Sequence, residues 1–213
     1  MGRPFNQAEK EKIKDNLLVK GRDLFAKKGL KNTSVEELTR ASGIALGSFY
    51  AFYNSKEELY FDILESEEKT ISKIIEKQLI SFDMTRKNFK HFLLKTIDLI
   101  TGNPLLKTLL NAKDYQELIA KIPESRYQRH LKQEYLFTDK LIKPFQESKH
   151  MSQVRPEILS GLLHALFLLQ FHRQEIGKKV FPDMFELLID MISDTLIKNG
   201  GKNLEEKKDT YSE

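Results

Sequence analysis

The sequence predicts an all-α protein in two parts. A small N-terminal unit of three helices precedes a larger helical body, with about nine helices in all. Three observations lead there. Gly and Pro are few, 10 and 6 in 213 residues, and they fall at the ends of apolar-periodic segments. No stretch alternates apolar and polar residues with β-branched enrichment, so no strand is expected. Apolar residues recur instead at three- and four-residue spacing nearly from end to end.

The first helix is expected over about Gln7 to Lys28, with Ile13, Leu17, Leu24 and Phe25 as its apolar stripe. Gly29 sits where a C-terminal cap belongs. The second begins at Thr33 or Ser34, since Glu36 and Glu37 stand three residues beyond each in turn and complete a capping box. The third covers roughly Ala45 to Phe52. Gly43 lies between them, where a sharp turn demands the positive φ that glycine adopts freely. Val35, Leu38, Ile44 and Phe49 are placed to bury together and set the crossing of the two helices. Ser55 with Glu58 opens a fourth helix to about Ile80, with Leu59, Ile63, Ile71, Ile74 and Ile75 inside.

The body follows. A fifth helix spans about Thr85 to Thr101, with Phe89, Phe92, Leu93, Ile97 and Ile100 on one face; Gly102 and Pro104 break it. The sixth covers about Leu105 to Lys121 and stops before Pro123. The seventh runs from Glu124 to His150, with Pro144 as a kink point. Arg155-Pro156 opens the eighth, which reaches about Ile176. The ninth spans about Pro182 to Lys198 and ends at Gly200-Gly201. The expected domains are 1–54 and 55–201, with the polar and charged residues 202–213 a disordered tail.

Composition removes several classes of function. The chain has no cysteine, hence no disulfide and no thiolate metal or redox site. Residues 1–16 are polar and charged, unlike a signal peptide. The longest apolar stretch, Leu162 to Leu169, is interrupted by His164 and is far too short to span a bilayer. A cytoplasmic protein with no membrane partner is expected. Net charge is +4; residues 1–60 hold 11 Lys/Arg against 8 Asp/Glu, a small excess in that part of the chain. No Gly-rich phosphate loop or nucleophile motif appears, so no catalytic residue, no cofactor and no enzyme activity is expected. His164 and His172 share a face of the eighth helix, but no third ligand stands nearby, so they read as interface or core-edge residues and no metal site is expected.

Two short helices joined by a tight turn form a helix-turn-helix, a module that lays its second helix in the major groove of DNA. The run from Leu24-Phe25 and Gly29 through Thr33-Ser34-Val35, Gly43-Ile44, Gly47 and Phe49-Tyr50 to Phe52-Tyr53 and Ser55-Lys56-Glu57-Glu58-Leu59 resembles the TetR family of bacterial transcriptional regulators. The resemblance covers about residues 10–60; the rest matches in architecture alone. It implies a homodimer that binds a double-stranded DNA operator and is released by a small-molecule inducer. It also implies backbone contacts from positions matching Thr33, Tyr50 and Lys56. Three positions depart from the family pattern. Phe52-Tyr53 stands where His then Phe is usual, Thr39 where Ala is usual, and Ala45 where a Ser or Thr usually caps the third helix.

The residues themselves suggest how DNA is read. Ala45, Leu46, Gly47, Ser48 and Ala51 are presented to the groove, and Gly47 lets backbone approach closely. The Tyr50 hydroxyl and Lys56, in a first helical turn that favours anions, are phosphate candidates. From Ile44 to Tyr53 there is no Arg, Lys, Asn or Gln, so bidentate base contacts are not available from this helix. Specificity is expected from thymine methyl groups, the Ser48 hydroxyl and DNA shape, with Arg3 in a flexible arm entering the minor groove.

The eighth helix is apolar nearly all round and must be covered on two sides. Leu159, Leu163, Leu166, Phe167 and Phe171, with Phe185, Leu188 and Ile192 of the ninth helix, are the expected dimer interface. A ligand pocket implied by the resemblance would draw on Phe89, Phe92, Leu93, Leu110 and Tyr127 as walls. Thr96, His130, Glu134, Tyr135, Thr138 and Gln170 are its candidate polar groups. His130 and Glu134, one turn apart, read first as a surface i,i+4 pair and second as pocket lining. No cluster of acids stands out, so a hydrophobic or amphipathic ligand is expected. The alternative is a helical small-molecule-binding or interaction protein whose helix-turn-helix reads no specific operator.

Overall fold

The computed structural model describes residues 5–108, 112–170 and 172–198. Among them lie eleven helices: α1 Gln7–Lys28, α2 Val35–Ser42, α3 Leu46–Phe49, α4 Lys56–Leu79, α5 Arg86–Gly102, α6 Pro104–Lys107, α7 Ala112–Ile119, α8 Glu124–Glu147, α9 Pro156–Leu169, α10 Arg173–Ile176 and α11 Phe181–Leu196. The β geometry among the described residues is a single antiparallel bridge, Met151 to Ile197.

The all-helical expectation holds, and the capping residues explain most boundaries. Asn6, Ser34, Ser55, Thr85 and Asn103 each accept a bond from a backbone N–H in the first turn of the helix they open. Ser34 with Glu37 forms the reciprocal capping box, so the second helix starts on Ser34. Two expected helices are each divided. The span expected over 105–121 is α6 and α7. The Thr108 hydroxyl folds back onto the Leu105 carbonyl at 2.7 Å and meets the Tyr60 hydroxyl at 2.8 Å, which closes α6 after one turn. The span expected over 155–176 is α9 and α10, where the N–H groups of Gln170 and His172 bond three residues back and tighten the chain. Pro144 lies within α8.

Two apolar cores organise the molecule. The first joins α1, α2, α3 and the N-terminal half of α4 around Leu17, Phe25, Leu38, Phe49, Leu59 and Ile63. It continues into Leu105, Leu106, Leu118 and Ile122, so α6 and α7 pack on the same core as the N-terminal helices. The second joins α5, α8, α9 and α11 around Phe89, Leu93, Ile97, Ile142, Leu159, Leu166, Phe185 and Ile189. The α1–α4 crossing is close: a Cβ at Gly21 would lie 2.9 Å from Ile63 Cδ1. Polar bonds tie the same seam. Glu67 of α4 accepts from Arg22 of α1 and from Asn103 at the start of α6, both at 2.5 Å.

Candidate functional site

The α2–α3 pair forms as the sequence implies. Gly43 has φ 69° and ψ 30°, the left-handed region, and its N–H closes onto α2. Leu38 and Phe49 are fully buried, and Val35 and Ile44 pack against them. This fixes the angle at which α3 stands away from the body. Its outer face is open. Leu46 is 44% and Tyr50 58% exposed, with Ala45, Gly47 and Ala51 exposed beside them and Ser48 half-buried. A Cβ at Gly47 would meet nothing within 4 Å, so packing inside the chain does not require glycine there. Ala45 supplies no side-chain cap, and α3 is only Leu46–Phe49, continued by turn bonds at Ala51 and Phe52. The Phe5 ring lies 6.2 Å from that of Phe52, which anchors the chain just after the arm. Arg3 lies outside the described residues.

Two of the expected phosphate-contact residues make bonds within the chain. Thr33 is buried, and its hydroxyl donates to the Gly29 carbonyl at 2.8 Å, so its side chain is withdrawn from the surface. The Lys56 ammonium donates to the carbonyls of Leu30 and Thr33, both at 2.8 Å, and of Lys31 at 3.3 Å. It clamps the α1–α2 loop. The physical reason is shared: helix α1 and the following turn leave several carbonyls without intrahelical partners, and these two side chains meet them.

Behind α3 a polar chain runs from the helix-turn-helix into the body. The buried Tyr53 hydroxyl donates to Asp62 of α4 at 2.9 Å, and Lys14 of α1 lies 3.4 Å from the same carboxylate. Burial and Asp62 together push the Tyr53 phenol well above its usual range. Arg126 of α8 also bonds Asp62 and reaches Glu65 at 3.0 Å, with its guanidinium 4.9 Å from the Phe61 ring. Glu65 in turn faces His130. Asp62 is therefore held at once by the N-terminal domain and by α8.

Further into the body α4, α7, α8 and α9 bring together groups far apart in sequence. His130 Nδ1 lies 3.7 Å from Glu65 and 3.6 Å from Glu68. Its ring stacks near Tyr127 and meets Phe61 edge-on at 5.2 Å, while Tyr115 meets His164 at 6.0 Å. Glu68 keeps 40% of its side-chain surface accessible, yet burial pushes its carboxyl to about 7. Glu68 thus sits partly desolvated at the packing of α8 on α4, with His130 beside it. Burial raises Glu134 as well, against the opposing pull of His164 and His130. At His130 burial alone would lower the imidazole, but the carboxylates of Glu65 and Glu68 outweigh it and hold it raised. His130 and Glu134 are both half-buried on α8, and His130 is engaged by Glu65 and Glu68 of α4.

The other expected ligand residues divide. Phe89 and Leu93 belong to the second core and are closed off, with Phe92 packed against them. The Thr138 hydroxyl bonds Ser160 at 2.8 Å and is not free for a ligand. Thr96 is buried and its hydroxyl has no hydrogen-bond partner among the described residues. Tyr127 and Tyr135 are half-buried on α8. Gln170 lines a separate cavity near α11, and Leu110 lies outside the described residues.

The residues of the expected dimer face divide between the subunit core and its margin. Leu159, Leu166 and Phe185 are buried inside one subunit, and Leu163, Leu188 and Ile192 pack against the same core. Phe167 is half-buried, and Phe171 lies outside the described residues. The exposed apolar face of the same two helices is Ile158, Gly161 and Ala165 on α9, with Leu187 and Met191 on α11 at 60% and 59% exposure. A helix apolar all round carries no sequence signal of which side faces its own core. Glu65 and Glu68 were equally hidden, because Glu65-Ser66-Glu67-Glu68-Lys69 has the pattern of a solvated face.

Comparison with known proteins agrees with this geometry. Residues 17–63 match the family described as bacterial regulatory proteins, tetR family. The HTH-type transcriptional regulator QacR of Staphylococcus aureus is 30% identical over 77 residues. That stretch is 36% of this chain and 41% of QacR, so the chain matches under half the length of that relative. At the level of fold, a TetR-family transcriptional regulator from Pectobacterium atrosepticum superposes with a TM-score of 0.67 at 14% identity, covering 91% of this chain and 99% of that one. SmeT, solved as a complex with triclosan, superposes with a TM-score of 0.56 at 14% identity, covering 88% of this chain and 93% of that one. The family match spans the second half of α1, the capped α2, the Gly43 turn, α3 and the start of α4, and the fold likeness extends over the body: residues 17–63 carry the helix-turn-helix of the tetR family, on a body that shares the fold of the solved TetR-family regulators.

Proposed function

We propose that this chain is a homodimeric transcriptional regulator that binds an operator through α3, represses, and is released by a small amphipathic molecule. The observation that carries it is the open α3 face, with Leu46 and Tyr50 exposed on an otherwise well-packed three-helix unit. Exposed apolar side chains on a short helix, braced from behind by Leu38 and Phe49, suit contact with thymine methyl groups. With Lys56 and Thr33 engaged internally, phosphate contact falls to the Tyr50 hydroxyl and to free N–H groups in the first turn of α4. Two readers are needed about one helical turn apart, roughly 34–36 Å, and pairing through Ile158, Gly161, Ala165, Leu187 and Met191 would provide them. The small residues Gly161 and Ala165 allow close approach of the paired helices.

The inducer would bind beside Glu68, Glu134, His130 and Tyr127, where α8 packs on α4. Carboxylates there favour a ligand with an apolar body and a hydrogen-bond-donating or positively charged head. The complex of SmeT with triclosan supports small-molecule binding on this fold. Arg126, shared between Asp62 and Glu65, would couple the inducer to the reader.

One observation favours the alternative of an interaction protein that reads no operator: the α3 face lacks any side chain capable of bidentate base contact. Selection from a random duplex pool separates the two. The proposal expects an enriched site with two related half-sites one turn apart. Recovery of no sequence above the starting pool would favour the alternative.

A further inference from the structure

Apart from the cluster around His130, a cavity of about 250 Å³ opens between α5, the end of α9, α10 and the start of α11. Its floor is apolar: Leu94 and Ile97 of α5, and the stacked rings of Phe181 and Phe185, 5.3 Å apart. The exposed Arg173, Lys178 and Asp98 are the charged residues of its lining. Elsewhere along the α5–α11 seam the cations are matched. Lys90 reaches Glu186 and Asp190 at 2.8 Å, and Arg86 reaches Asp194 at 3.2 Å. The side chains of Arg173 and Lys178 have no hydrogen-bond or ion-pair partner among the described residues. Phe181 and Phe185 are buried on the side of α11 opposite the exposed Leu187 and Met191, so the cavity does not share the face proposed for dimerisation.

We infer that this cavity binds a small amphipathic monoanion, of which a medium-chain carboxylate is the simplest form. At about 30 Å³ for each water-sized volume the space holds roughly eight non-hydrogen atoms, with the head left in the open mouth. That excludes a nucleotide. An apolar floor gives a simple inorganic anion nothing to bind. Two cations and one carboxylate leave one net positive charge in the lining, which suits a monoanion and penalises a dianion near Asp98. The apolar tail lies on the stacked Phe181 and Phe185 rings, and the carboxylate takes a forked contact from Arg173 with Lys178 as a second charge. The site requires neither DNA reading nor the cluster around His130.

Calorimetric titration of the full-length protein with hexanoate, octanoate, octanol and octyltrimethylammonium tests this. Octanoate should bind, and tighter than hexanoate by about tenfold, since each buried methylene contributes roughly threefold to fourfold. The cation should not bind here. The double variant Arg173→Gln, Lys178→Gln should weaken octanoate about tenfold or more and leave octanol unchanged. Leu94→Trp, which fills the cavity, should abolish octanoate binding; the two exposed charge changes test the site even if that variant folds poorly. The inference fails if octanoate does not bind, or if the double variant binds it as wild type does. It fails equally if Glu68→Gln, rather than the Arg173/Lys178 pair, removes the binding, since the ligand would then sit beside His130.

Discussion

Gly43 and Lys56 show how single residues set the reader. Gly43 occupies the left-handed region at φ 69°, and nothing lies within 4 Å of an added Cβ, so Gly43→Ala carries a purely conformational penalty. That penalty is about 1–2 kcal/mol. In a chain of this size it should lower the melting temperature by roughly 2–4 °C per kcal/mol, read by thermal denaturation. Lys56 makes charged hydrogen bonds to three carbonyls, so Lys56→Met should cost about 1–3 kcal/mol of stability. Because its ammonium is engaged inside the protein, the slope of log affinity against log salt for duplex DNA should stay as in wild type. A slope smaller by about one would instead place Lys56 on a phosphate. The turn at Gly43 is legible in the sequence because few residues tolerate that backbone. The engagement of Lys56 is not, since its carbonyl partners lie more than twenty residues earlier, at Leu30, Lys31 and Thr33.

At the scale of elements α4 carries the account. Its start and its buried stripe are legible, because Ser55 caps it and Leu59, Ile63 and Ile71 keep helical spacing. Its polar face is not, because Asp62, Glu65 and Glu68 have the pattern of solvated acids until α8 is packed against them. Arg126 then binds Asp62 on the reader side and Glu65 on the His130 side. Arg126→Gln should leave the protein folded but change DNA affinity, and so should Tyr53→Phe. The two changes should be non-additive in a double-mutant cycle measured by anisotropy, whereas strict additivity would mean that Asp62 transmits nothing. Glu68 gives a pH test with a definite sign. Its folded carboxyl sits near 7, above its ordinary value of 4.5, so the folded state binds the extra proton between those pH values. The stability it contributes is full below about 4.5 and is lost as pH rises through about 7. Glu68→Gln should therefore raise the melting temperature relative to wild type at pH 8 and much less at pH 5. Allowing for its partial exposure, the gain at pH 8 should be near 2–4 °C, the shift of about 1 kcal/mol. An equal gain at both pH values would contradict the desolvated placement.

At the scale of the molecule the central issue is whether two readers are held at groove spacing. The apolar character of α9 predicts an interface, but a helix apolar on every side does not say which side is outward. Packing places Leu159 and Leu166 within the subunit and leaves Ile158, Gly161 and Ala165 outside, beside Leu187 and Met191 of α11. Leu187→Glu should therefore shift the protein from dimer to monomer in sedimentation equilibrium, with helicity retained because its side chain lies outside the subunit core. A dimer unaffected by charge at Leu187 and at Met191 would move the interface elsewhere.

The most direct measurement is the affinity of the protein for duplex DNA across a salt series, made for wild type and for Leu46→Asp. Leu46 is exposed at the head of α3 and supports no core packing, so the substitution leaves the fold intact while placing a negative charge against the groove. The account predicts that wild-type affinity falls linearly in log–log form with salt, at a slope of about 0.9 for each phosphate contacted. It predicts that Leu46→Asp loses at least tenfold in affinity at every salt concentration while its melting temperature stays within a few degrees of wild type. Wild-type and Leu46→Asp curves that coincide, or a wild-type protein that binds no duplex even at low salt, would contradict a DNA reader built on α3.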